Sequence, residues 1–112
     1  MDINIKIWLL DIQQSVNEIF EFLGERRDFS SYQKDIKTKK AVERNLEIIG
    51  EAVSRILKAD NNFHLENAKN IIGTRNRIIH SYDNISDELI WTIICKDLPK
   101  LKTQVDQLLL ES

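Results

Sequence analysis

The stretch Ile71-Ile72-Gly73-Thr74-Arg75-Asn76-Arg77-Ile78-Ile79-His80-Ser81-Tyr82 decides how the rest of the chain is read. With Ala68, the pairs Ile71/Ile72 and Ile78/Ile79 recur at helical spacing and form one side of a 3.6-residue period. Arg75 falls on that apolar stripe, where an aliphatic residue is expected. Gly73, Asn76 and His80 follow one another at steps of three and four on a second face, so Asn76 and His80 are helix neighbours. From Asn67 to Tyr82 there is no acidic residue, while Lys69, Arg75, Arg77 and His80 are present. A guanidinium, an amide and an imidazole beside a buried surface cost stability unless they find partners. Such a cost calls for a functional or structural reason.

Outward from this helix the pattern stays helical. Ile5, Trp8/Leu9, Ile12, Val16, Ile19 and Leu23 predict an amphipathic first helix from about Asn4 to Leu23. Asp2 or Asn4 can cap its start, and Gly24 can end it in a left-handed conformation. Ile7, Leu10, Phe20 and Phe22 lie off the stripe; they imply either a broad core face or a second contact surface such as a partner subunit. Glu25–Asp35 reads as a polar connection anchored by Phe29 and Tyr32, with Ser30 or Ser31 opening a short helical turn. A long helix over Ile36–Ala59 carries Val42, Leu46, Ile49, Val53 and Ile56/Leu57 on one stripe. Gly50 inside it implies a close helix-helix approach, since an interior glycine costs about 1 kcal/mol relative to alanine. Glu51 beside it either pairs with a buried arginine or faces water, and the solvated reading is the simpler one. Asp60-Asn61-Asn62 and Asp83-Asn84 are turn signals, and Ser86 marks a new helix start. The last stripe, Ile90, Ile94, Leu98, Leu101, Val105 and Leu108, runs straight through Pro99 and predicts one helix deformed there. No alternating strand pattern of useful length occurs. The expected fold is all-α: a single domain over residues 1–112, an antiparallel bundle of four to five helices, the last kinked at Pro99.

Composition narrows the function classes. With 112 residues, 42% hydrophobic and 30% charged, the chain suits a small soluble domain that gains from oligomerisation. No apolar run approaches the ~20 residues a bilayer span needs, so no membrane partner is expected. The N-terminus has no export signal, and Cys95, alone in apolar helical surroundings, reads as an inert core thiol; both point to a cytoplasmic location. A net charge of -2 exerts no global pull on nucleic acid, so RNA binding must rest on local groups. Candidates are Lys69 and Arg77 around the Arg75 helix, and Lys37 and Lys40 in the basic stretch Gln33–Arg44, which otherwise reads as a solvated helix face.

No metal-ligand spacing, glycine-rich phosphate loop or plausible triad appears, so neither metal nor cofactor is expected. Arg75 and His80 suit a reaction that needs neither. RNA brings its own nucleophile, the 2′-hydroxyl. An imidazole titrating near pH ~6.5 can move the protons. A fixed guanidinium can stabilise the phosphorane-like transition state, and Asn76 can orient the imidazole or the phosphate. On a regular helix these two residues point about 140° apart. Convergence therefore needs a bent Arg75 side chain, a loosened helix end or a second subunit. A structural arginine followed by a histidine at a helix C-terminus would show the same spacing.

The run Arg75–Tyr82 resembles the R-x4-H-x-Y signature of the HEPN superfamily, specifically its HepT-type toxin ribonucleases. The resemblance extends to Ala41–Ala52 and to Trp91–Leu101, and so covers most of the chain. It implies a helical homodimer that cleaves RNA (tRNA or mRNA) without metal, with Arg75 and His80 as the catalytic pair and Asn76 in support. The expected products are a 2′,3′-cyclic phosphate and a 5′-hydroxyl. It further implies a type VII-like toxin–antitoxin pair, in which a cognate MNT-type nucleotidyltransferase adenylylates the motif tyrosine, Tyr82. The alternative is a non-catalytic nucleotide- or partner-binding helical subunit of a nucleotidyltransferase complex. Leu65-Glu66-Asn67 departs from the residues many relatives carry before the motif.

Overall fold

The computed structural model describes residues 1–25, 27–80 and 85–112. Helix α1 (Ile3–Leu23) begins where the Asp2 carboxylate accepts the backbone N–H groups of Asn4 and Ile5. It ends at Gly24, whose N–H still reaches the Phe20 carbonyl and whose φ of +68° then turns the chain out of the helix. The short α2 (Phe29–Lys34) is capped by Asp28, and not by either expected serine. The Asp28 carboxylate takes the N–H of Ser31 on one oxygen and the hydroxyl of Ser31 on the other. Asp35 repeats the arrangement on Thr38 to open α3 (Ile36–Ala59). Those hydrogen bonds, the Thr38 hydroxyl first, hold the Asp35 carboxyl below its usual range.

Helix α4 (Ala68–His80) follows the connection 60–67, which is stapled to the last helix by one side-chain amide. Gln104 accepts the Glu66 N–H at 2.7 Å and donates to the His64 carbonyl at 2.8 Å. Asn67 takes a φ of +58° as the chain turns into α4. Ser86 caps α5 (Asp87–Thr92), which passes through a π turn at Ile93–Asp97 into α6 (Leu98–Glu111). The π turn is the form the deformation near Pro99 takes. Proline offers no N–H and crowds the carbonyl four residues back; the widened turn lets Leu98 N–H reach the Ile93 carbonyl instead.

The core is built from the anticipated stripes. Leu9, Ile12, Val16 and Ile19 meet Val42, Ile49, Val53 and Ile56, and Leu98, Leu101 and Val105 close the third side. Helix α1 packs on α3 and α6, and α4 packs on α3. Tyr32 and Phe29 stack on Trp91, with ring centroids 5.2 and 5.9 Å apart, fixing α2 to α5. Among the described residues there is no strand, and no helix is long and apolar enough to cross a membrane.

One expectation about burial fails, and one open alternative is narrowed. Cys95 is exposed, because the π turn commits Ile93, Ile94 and Asp97 to the interior and leaves Cys95 on the outer side. Ile3, Ile7, Leu10 and Phe22 also face outward. The wide apolar face of α1 therefore exceeds what this core uses.

At Gly50 the implied close approach is present. A Cβ there would lie 2.3 Å from Arg75 Cβ and 2.7 Å from Arg75 Cγ, whereas a Cβ on Gly73 would meet nothing within 4 Å. Gly50→Ala is accordingly expected to destabilise the fold by about 1–3 kcal/mol through overpacking. Gly73→Ala should stabilise by up to about 1 kcal/mol through helix propensity. Urea denaturation of the two variants checks this opposition of sign.

Candidate functional site

Arg75 reaches the surface by lying across Gly50. Its Nη2 donates to Glu51 Oε2 at 2.6 Å and its Nη1 to Asn76 Oδ1 at 3.0 Å. Arg55 Nε donates to the other Glu51 oxygen at 3.1 Å, so one carboxylate braces two guanidinium groups. Glu51 is thus the partner of Arg75, not a purely solvated residue. The Arg75 Nε is buried without a partner among the described residues. With its side chain 27% exposed, Arg75 stands between core and solvent. It forms part of the wall of an open groove of about 320 Å³, shared with Trp8, Ile48 and Ile79. Charge in this groove balances, Asp11, Glu47 and Glu51 standing against Arg44, Arg55 and Arg75.

His80 is the exposed last residue of α4 and is not among the residues lining this groove; its neighbour Ile79 is. The straight helical path from Arg75 explains the separation, since five residues rotate a side chain by about 140°. Asn76 accepts from Arg75 and so fixes the guanidinium plane. Tyr82 lies outside the described residues, as do Ser81 and the Asp83-Asn84 turn signal. Lys37 and Lys40 are exposed on the first turns of α3. From Lys40 to Glu51 is roughly 16 Å along the helix axis at 1.5 Å per residue, so Lys37 and Lys40 do not join the Arg75 groove, whereas Arg44 at the end of the basic stretch lines it.

Lys69 and Arg77 belong to a different hollow on the other side of α4. It measures about 350 Å³ and is lined also by Gly73, Leu89, Ile93 and Asp97. Asp97 is only 9% exposed and has no ion-pair or hydrogen-bond partner among the described residues. Burial pushes its carboxyl above the usual range, against the pull of Lys100 and Lys96. The sequence reading passed over Asp97, although a signal was there. It stands three residues after Ile94 and four before Leu101, on the core stripe, as Arg75 does on its own helix.

The Arg75–His80 segment, the Gly50–Glu51 crossing and the π turn all fall within residues 12–108, which match the family model described as Ribonuclease HepT-like. The chain belongs to the HepT-like ribonuclease family. It is similar to a relative from Methanocaldococcus jannaschii named "Putative RNase MJ1380", 37% identical over 92% of this chain and 94% of that one. A relative from Caldanaerobacter subterraneus named "Putative RNase TTE0752" is 39% identical over 80% of this chain and 83% of its own. A third, from Thermococcus cleftensis and named "Probable ribonuclease HepT", is 34% identical over 92% and 94%. No solved structure matches the chain.

In this HepT-like chain the Arg75–Glu51 pair is part exposed, so its strength lies between that of surface and buried pairs. Glu51→Ala is expected to cost about 1 kcal/mol. Arg75→Ala should cost more, because it also removes the aliphatic stem packed over Gly50. In a double-mutant cycle the combined loss should fall short of the sum of the single losses; strict additivity would show that the pair contributes nothing.

Proposed function

We propose that the chain is a metal-independent endoribonuclease toxin of a type VII-like toxin–antitoxin pair, acting in the cytoplasm on tRNA or mRNA. The observation that carries this reading is the bracing of Arg75 by Glu51 and Asn76 at the wall of an open groove, on the helix that ends at His80. Relatives whose names carry RNase or ribonuclease support it. In the proposed reaction the RNA 2′-hydroxyl attacks the adjacent phosphorus and the bond to the 5′-oxygen breaks. His80 moves the protons, and Arg75 stabilises the charge that builds on the phosphorane. The products are a 2′,3′-cyclic phosphate and a 5′-hydroxyl end.

A homodimer completes this proposal. Ile7 and Leu10 are 48% and 45% exposed on α1, and Ile79 is 40% exposed at the groove itself. A second copy seated on this apolar strip would cover it and bring its own α4 terminus toward the groove, so that Arg75 and His80 from two chains share one cleft. Regulation would come from a nucleotidyltransferase antitoxin that adenylylates Tyr82. The added nucleotide brings bulk and negative charge beside the cationic pair and obstructs an RNA phosphate.

Incubation of the purified protein with tRNA or mRNA in EDTA tests the reading. Cleavage is expected to continue, and Arg75→Ala and His80→Ala should each lower its rate by about 10²–10⁴-fold. Intact RNA with the wild type, or equal rates for His80→Ala, would overturn it. Leu10→Asp is expected to shift the sedimentation mass from dimer to monomer and abolish cutting with it. A second reading, a non-catalytic nucleotide- or partner-binding subunit, is favoured by the charge balance of the groove, where Glu51 already occupies Arg75. It predicts partner or nucleotide binding with no cut RNA at any protein concentration.

A further inference from the structure

Beyond the Arg75 groove, the hollow on the opposite side of α4 has the composition of a base-binding site. Leu89 and Ile93 form an apolar wall on which a planar ring can lie. Gly73 opens the α4 side, where a side chain would otherwise stand. Lys69 and Arg77, both exposed, flank the hollow from α4 and are free of ion pairs among the described residues. The buried Asp97 lines it with two acceptor oxygens and no partner of its own. Its carboxylate has no protein partner among the described residues and keeps some contact with solvent; holding a charge in so partly buried a place carries a cost, and burial raises its proton affinity. That cost is offset by a ligand presenting two adjacent N–H donors. Among the nucleobases, guanine does so through N1–H and the 2-amino group. The ribose-phosphate then falls to Lys69 and Arg77, and Arg77 lies one helical turn before His80.

We propose that this hollow is a guanine-reading subsite, in which Asp97 accepts the N1–H and N2–H of a guanosine in single-stranded RNA while Lys69 and Arg77 hold its flanking phosphates. This rests on the ribonuclease reading for its purpose, because a base fixed here would set the register of the strand relative to His80. The recognition itself is independent of cutting.

Equilibrium binding separates the two. The probes are short single-stranded RNAs carrying one guanosine or one inosine, which lacks the 2-amino group, together with 5′-GMP. The guanosine RNA is expected to bind the wild type about tenfold or more tightly than the inosine RNA, as one charge-assisted hydrogen bond requires, and more tightly than GMP. Asp97→Asn should reduce that ratio by about tenfold while raising the melting temperature at neutral pH. The sign follows from the raised carboxyl: its unfavourable contribution is present above its folded pKa and fades as pH falls and the group is protonated. Gly73→Leu, which has open space around it, should weaken both RNAs while leaving the fold intact. Equal binding of the two RNAs by the wild type overturns the proposal, as does an unchanged ratio in Asp97→Asn. GMP binding as tightly as the RNA would overturn the RNA assignment in favour of a free nucleotide. If Asp97→Asn instead altered only binding of a second protein, the carboxylate would belong to a protein interface and the proposal would fall. Selective binding without any cleavage would leave the subsite standing and remove the ribonuclease; cleavage without selectivity would do the reverse.

Discussion

The crossing of α4 over Gly50 is the contact on which the rest of the site depends. Because Gly50 has no side chain, the stem of Arg75 lies directly on α3, and its guanidinium is delivered to the boundary between core and solvent. A cation in that position needs an anion, and the residue after the glycine supplies it. Asn76 and Arg55 complete the brace from either side. Ordering a long arginine side chain is entropically expensive, and here the fold meets that expense before any ligand arrives. Preorganised charge of this kind acts on a transition state without first having to rearrange.

Helix α4 also divides the surface into two electrostatically different sides. On one, acids and bases cancel and an apolar strip of α1 runs alongside, a character suited to covering by protein. On the other, Lys69 and Arg77 outnumber Asp97, a character suited to a polyanion. His80 closes the helix where its macrodipole favours positive charge, and it shares its face with Arg77. A chain with net charge -2 can thus still present one locally cationic face.

Much of this was legible in the residues themselves. The bounds of α3, the caps at Asp2 and Ser86, the left-handed Gly24 and the unbroken stripe through Pro99 follow from local rules that the structure obeys. Gly50 could be read as a contact point because an interior glycine has a known cost. What lay beyond reach was long-range. Glu51 and Arg75 are brought together by the fold, and charge spacing along one helix says nothing about the next. Cys95 was misjudged because a π turn changes which residues face inward, and periodicity counts assume an even 3.6; Asp97 held the spacing of the core stripe and could have been read from it. The Arg75–His80 pair was legible as chemistry but not as geometry. Spacing predicts their divergence on one helix, and the structure keeps His80 out of the lining of the Arg75 groove.

The π turn carries a consequence of its own. It amounts to one surplus residue accommodated inside an otherwise continuous rod. Wound as a regular helix, the same residues would turn everything upstream by about 100° relative to α6, carrying Trp91 away from the rings of Tyr32 and Phe29. The wide turn therefore works as a rotary adjustment, setting how the two ends of one rod are clocked against their separate neighbours.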